Sequence, residues 1–206
     1  MTPELKRVSG YGRVLHLFTA VSFLCCLISG LGIAFPKLHW MLVLLGGGEF
    51  ARWLHPWAGV LFSASGALTF LYLSREMLLT KDDRVWLTRI YFYMANRDDL
   101  LPETDKYNAG QKLFFWGVLA AGAGVFLISG IPMWFPTCFP VDLVRWGILL
   151  HALMFIAAGA GLIVHVYMGT LAMPGTVPAL ITGKVTASWA KAHHPKWYRK
   201  MIERKF

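Results

Sequence analysis

Only three of the 206 residues are cysteine, and only 15% carry charge. Cys25, Cys26 and Cys138 are too few for a disulfide framework or a cysteine-ligated iron–sulfur cluster. Cys25 and Cys26 lie inside an apolar run and read as small core residues. The chain has no Walker loop, no GxGxxG after a strand, no HExxH and no CxxCH. A nucleotide site, a hydrolytic centre and a thioether-linked haem are therefore excluded. A soluble chain carries roughly 25% charged residues. Here apolar residues take that place: 56% belong to the AVILMFWYC set. A globule of 23.1 kDa has no interior large enough for them, so the excess must face hydrocarbon.

A helix crosses a bilayer with about 20 apolar residues. Four stretches qualify: 14–35, closed by Pro36; 53–73, stopped by Arg75 and Glu76; 113–135, closed by Pro136; and 146–173, closed by Pro174. The first reads as a retained signal anchor, being too long for a cleaved leader. The spans carry Gly and Ala that permit close packing, such as Gly117, Gly122, Gly124, Gly159 and Gly161. The expected fold is an all-α membrane protein, a four-transmembrane-helix bundle formed by residues 1–206 as one domain.

Lys and Arg are distributed unevenly. The N-terminal tail, the segment 75–112 and the tail 174–206 hold 17 of them, and the two opposite loops hold three: Lys37, Arg52 and Arg145. The positive-inside rule then places both termini in the cytoplasm. The net charge of +9 is mostly this topology signal, and a nucleic-acid partner is not needed to explain it. Within 75–112, Val85-Trp86-Leu87 and Ile90-Tyr91-Phe92-Tyr93-Met94 between arginines predict a short helix lying in the interface. The basic, Trp-containing tail is expected to rest on lipid headgroups or on a partner.

Of seven histidines, His39, His193 and His194 fall in loop and tail and read as ordinary polar residues. The other four lie in or at the edge of spans, where an ionisable side chain is costly and points to function. His16 opens the first span and His165 comes late in the fourth, both near the cytoplasmic face. His55 opens the second span and His151 opens the fourth, both near the outer face. Fourteen residues separate His151 from His165, within 40° of four helical turns and a rise of about 21 Å. Both therefore project from roughly one face, each with a histidine on another helix at its own depth. Paired imidazoles from two helices are what a non-covalent b-type haem takes as axial ligands. A zinc or proton-relay site would gather its groups at one depth. Two haem b groups, held by His55 with His151 and by His16 with His165, are the expected cofactors. Arg13, three residues before His16, reads first as a snorkelling anchor and second as a partner for a haem propionate. Asn108, Gly110 and Gln111, taken alone, read as a loop capping the third span.

On these residues the chain resembles the gamma subunits of membrane-bound formate dehydrogenases, which are diheme cytochromes b. The resemblance runs through Arg13-Val14-Leu15-His16, Leu54-His55-Pro56, Lys106-Tyr107-Asn108-Ala109-Gly110-Gln111-Lys112, and the His151 to His165 interval. It continues through Trp189-Ala190-Lys191 and His193-His194-Pro195-Lys196-Trp197-Tyr198-Arg199. Leu17 departs from the pattern, where an aromatic residue is expected. The resemblance implies a bacterial inner-membrane subunit that takes electrons from an iron–sulfur subunit onto the outer haem. They would pass to the inner haem and then to quinone (menaquinone or ubiquinone). Asn108, Gly110 and Gln111 would line the quinone site, with His165 reaching toward it through its second nitrogen. It also implies a catalytic subunit with a molybdenum or tungsten pterin, and a trimer of heterotrimers. Two rival readings are the cytochrome b of an uptake hydrogenase or other pterin oxidoreductase, and a haem-free anchor or transporter.

Overall fold

A computed structural model describes residues 3–95 and 97–203. The ends of the expected 1–206 domain, residues 1, 2 and 204–206, lie outside the described residues, as does Asn96. Four helices are long and apolar enough to cross a membrane: Gly10–Ala34, Gly48–Leu73, Ala109–Trp134 and Val141–Ala172.

In chain order the elements begin with strand β1 (Glu4–Lys6), helix α1 (Gly10–Ala34), a 3-10 stretch (Pro36–Leu45) and α2 (Gly48–Leu73). They continue with α3 (Lys81–Thr88), α4 (Ile90–Met94) and α5 (Ala109–Phe114). A π-helical stretch, Phe115–Ala121, carries α5 into α6 (Gly122–Trp134). Then come α7 (Val141–Tyr167) with a π-helical end (Met168–Ala172), α8 (Val177–Ile181), β2 (Lys184–Thr186), α9 (Ala187–His193) and α10 (Pro195–Glu203). The helices start earlier than the apolar stretches. α2 takes in Glu49 and Arg52, and α7 takes in Asp142 and Arg145, because a helix continues into the wet interface after its apolar run has ended.

The chain forms two compact units. One consists of Val14–Leu71 and Gly117–Leu162. Its helices are built the way hydrocarbon demands, with small and hydroxyl residues inside and large apolar ones outside. The buried residues of α1 are Leu15, Ser22, Ser29 and Gly32. Leu24, Ile128, Leu153 and Ile156 face outward. α1 meets α2 through Thr19 Oγ1 to Ser65 Oγ (3.1 Å) and through the rings of Phe23 and Phe62. α2 meets α6 where Ser63 Oγ donates to the Ala123 carbonyl (3.1 Å). α7 comes so close to α6 at Gly147 that a Cβ there would stand 2.9 Å from the Ser129 carbonyl oxygen.

The other unit comprises the described residues of Met1–Arg13, Tyr72–Trp116 and Ile163–Phe206. The tail folds onto the start of the chain: β1 and β2 pair antiparallel, Leu5 opposite Val185. Leu5, Ala179, Val185, Trp189, Ala190 and Trp197 form a buried cluster. Burying each large side chain there contributes roughly 2 kcal/mol. The tail's cations meet carboxylates of the 75–112 segment: Lys196 pairs with Asp82, Arg199 with Glu103 and Lys200 with Asp105.

Candidate functional site

His55 sits near the start of α2 and His151 near the start of α7. Their ring centroids are 6.3 Å apart, with the planes inclined at 53°. Each ring is held from behind. Ser29 Oγ on α1 lies 2.7 Å from His55 Nδ1, and Ser129 Oγ on α6 lies 3.0 Å from His151 Nδ1. Each serine hydroxyl also donates to the carbonyl one turn back, Cys25 at 2.5 Å and Val125 at 2.6 Å. A glycine follows each serine. A Cβ on Gly30 would come within 3.3 Å of His55 Cε1, and one on Gly130 within 3.7 Å of His151 Cε1. Phe126 packs edge-on to His151 at 5.0 Å.

The donor set fits a metalloporphyrin. A first-row metal–imidazole bond is about 2 Å, so two rings flanking one metal have centres about 6 Å apart. The two imidazoles meet that spacing across the interior of a helical unit, as bis-histidine ligation of a b haem requires.

Sequence reasoning missed the two serines, although the chain carried a signal for them. Leu27-Ile28-Ser29-Gly30 followed by Phe35-Pro36 recurs as Leu127-Ile128-Ser129-Gly130 followed by Phe135-Pro136. Read one span at a time, a serine in an apolar helix passes for a packing residue.

His16 lies in the second turn of α1 and is exposed. His165, near the end of α7, is also exposed, and its ring stacks on Phe114 with centroids 4.6 Å apart and planes within 12°. π-helical turns begin directly after Phe114 and three residues after His165. Such turns collect at functional sites. The Nη1 of Arg13 donates to the Ile181 carbonyl, at the end of α8.

Asn108 caps α5. Its Oδ1 accepts from the Gln111 amide (2.9 Å), and Gln111 Oε1 accepts from the Asn108 amide (3.0 Å). This reciprocal box uses both side-chain oxygens and directs the Asn108 NH2 toward Tyr93 Oη, 3.5 Å away. Asn108 lines a cavity of 190 Å³ with Trp86, Tyr93, Met173 and His193. Gly110 lies beside the Trp86 ring, which a Cβ there would meet at ordinary van der Waals distance. One turn along, Lys112 Nζ donates to Asp83 Oδ2 (2.6 Å), both side chains at least nine-tenths buried. Burial alone would push the Asp83 carboxyl up. The hydrogen bonds from Lys112 and Thr80 outweigh it and hold the group below its usual range.

His194 departs from its expectation as an ordinary tail residue. It is fully buried, with Nδ1 donating to the Asp105 carbonyl (2.6 Å) and Nε2 accepting from Arg7 Nη2 (3.1 Å). Burial, then the Arg7 charge, pull its pKa down to about 3. Arg7 is itself enclosed by Tyr107, Trp189 and Trp197, and burial lowers its pKa to about 10. A basic tail on the surface gave no sign of this cluster.

Residues 7–183 match the family described as prokaryotic cytochrome b561. Over 200 residues the chain is 34% identical to the formate dehydrogenase cytochrome b556(fdo) subunit of Escherichia coli (strain K12), covering 96% of this chain and 93% of that one. It is 31% identical to the nitrate-inducible formate dehydrogenase cytochrome b556(Fdn) subunit of the same organism, covering 96% and 91%. It is 32% identical to the formate dehydrogenase cytochrome b556 subunit of Haemophilus influenzae, covering 92% and 80%.

Proposed function

The chain belongs to the prokaryotic cytochrome b561 family, and from that premise we propose that it is the membrane cytochrome b subunit of a formate dehydrogenase, carrying electrons from partner subunits to quinone. The observation that carries this reading is the pair His55 and His151, with ring centroids 6.3 Å apart and each within hydrogen-bond distance of a serine. Two b haems would supply one-electron transfer across the bilayer when bound. His55 and His151 would hold the outer one, and His16 and His165 the inner one.

The uneven spread of Lys and Arg supports a chain in the bacterial inner membrane with both termini on the cytoplasmic side. Partner subunits would be an iron–sulfur protein on the outer face and a catalytic subunit with a pterin-bound molybdenum or tungsten. Asn108, Gly110 and Gln111 would frame the quinone head. With the side-chain oxygens of Asn108 and Gln111 engaged in the α5 cap, their NH2 groups are the donors left for a quinone carbonyl. The bond from Arg13 Nη1 to the Ile181 carbonyl supports its reading as an anchor of the helix end.

The test is substitution of His16 or His165 by alanine in the intact complex. Formate-to-dye activity in the catalytic subunit should persist, with one haem and quinone reduction lost. Normal quinone reduction in either variant would defeat the assignment.

A further inference from the structure

The contacts made by Ser29 and Ser129 are alike in every respect that matters to a metal ligand. Each serine stands one turn after the carbonyl that accepts its proton: Cys25 for Ser29 and Val125 for Ser129. A hydroxyl has one proton. With that proton directed to the backbone, the oxygen can only accept from the imidazole, so His55 and His151 each carry their proton on Nδ1. Nε2 is then the nitrogen with the free electron pair, the form in which a neutral imidazole binds metal.

A serine that bonds back to its own helix is common in apolar helices and by itself means little. Two such serines in the same repeated register, each against a different histidine of one facing pair, are not explained by that habit. The close approach of α7 to α6 at Gly147, one turn before His151, brings Ser129 within reach. Gly30 leaves room for the His55 ring edge, which a Cβ there would crowd at 3.3 Å.

Resting on the haem-ligand reading above, we infer that Ser29 and Ser129 are a matched pair of positioning residues for the outer haem. Through one hydrogen bond each, they fix the tautomer, ring rotation and basicity of its two axial ligands. Each half of the repeat thus supplies one ligand and the serine that aims it: α1 serves the histidine of α2, and α6 serves that of α7. An acceptor on the far nitrogen of a ligating imidazole raises the ligand's basicity. A more basic ligand favours ferric iron, so the serines hold the outer haem at a lower potential than bare imidazoles would.

The experiment uses the full chain purified with its partner subunits, in Ser29→Ala, Ser129→Ala, Ser29→Thr and Ser129→Thr forms. Each is read by redox titration of the haem bands and by low-temperature paramagnetic resonance of the ferric haems. Both alanine variants should raise the potential of one and the same haem and alter its resonance pattern, which depends on the angle between the ligand planes. The other haem should not move. Outer haem should dissociate roughly 10- to 100-fold faster, as when a partner of a metal-bound histidine is removed elsewhere. The threonine variants should restore all three readouts. Should an alanine variant fail to accumulate, Ser29→Cys and Ser129→Cys keep the size but weaken the acceptor, and they must shift the potential the same way.

Unchanged potentials and resonance in both serine variants, or effects on two different haems, would overturn the inference. A parallel His55→Ala variant separates this from failure of the ligand reading. If it keeps two haems, the ligand assignment itself is wrong. If it keeps one and the serine variants are silent, only the positioning role falls.

Discussion

His55 and His151 stand 96 residues apart in sequence and 6.3 Å apart between ring centroids, on α2 and α7. A shared haem would make their losses redundant. Single His55→Ala and His151→Ala variants should each lose one haem, and the double variant should also lose only one. Haem counts on the three proteins check this. Independent sites would lose one in each single variant and two in the double.

On the proposed quinone reading, Asn108 would have two separable duties. Asn108→Asp keeps a side-chain oxygen for the Gln111 amide, so the α5 cap survives, but it replaces the NH2 donor with an acceptor. Quinone reduction should weaken about tenfold, the worth of one good hydrogen bond, with little change in stability. Asn108→Ala should lose both, the cap costing about 1 kcal/mol. Quinone kinetics beside thermal unfolding of the purified complex distinguish the two outcomes.

Lys112 and Asp83 form a buried ion pair. Lys112→Met strands a buried carboxylate and should destabilise the complex by about 3 kcal/mol. Adding Asp83→Leu should recover most of that. It should not recover all, because Asp83 also accepts from the Thr80 amide and hydroxyl at the start of α3. A double-mutant cycle on unfolding temperature measures the coupling.

The tail should loosen in acid. His194 takes a proton near pH 3 in the fold and near 6.5 when released. Between these values the released chain binds the extra proton. His194's contribution is complete above about pH 6.5 and declines by roughly 1.4 kcal/mol for each unit below it. The protection of residues 187–203 against hydrogen exchange, taken relative to the intrinsic exchange rate at each pH, should fall between pH 7 and 5. Its dependence on pH in that range should flatten in His194→Gln.

The four spans were legible because hydrocarbon imposes a length and composition that few other environments require. The helix ends were not, because Glu49, Arg52, Asp142 and Arg145 break an apolar run without breaking a helix. The β1–β2 pair was hidden as well: three-residue strands show no alternation, and Leu5 meets Val185 across almost the whole chain. The tail's cations read as resting on headgroups or on a partner, and nothing in the sequence signalled that Lys196, Arg199 and Lys200 pair with Asp82, Glu103 and Asp105. Ser29 and Ser129 were visible only to a comparison of one span with another, since hydropathy counts a serine but does not aim it.

The most direct trial of the whole account is a pyridine haemochrome determination on the purified, unmodified chain with its subunits. Two b haems per copy is the expected value. One per copy would contradict the pairing of four histidines, and none would remove the electron path altogether.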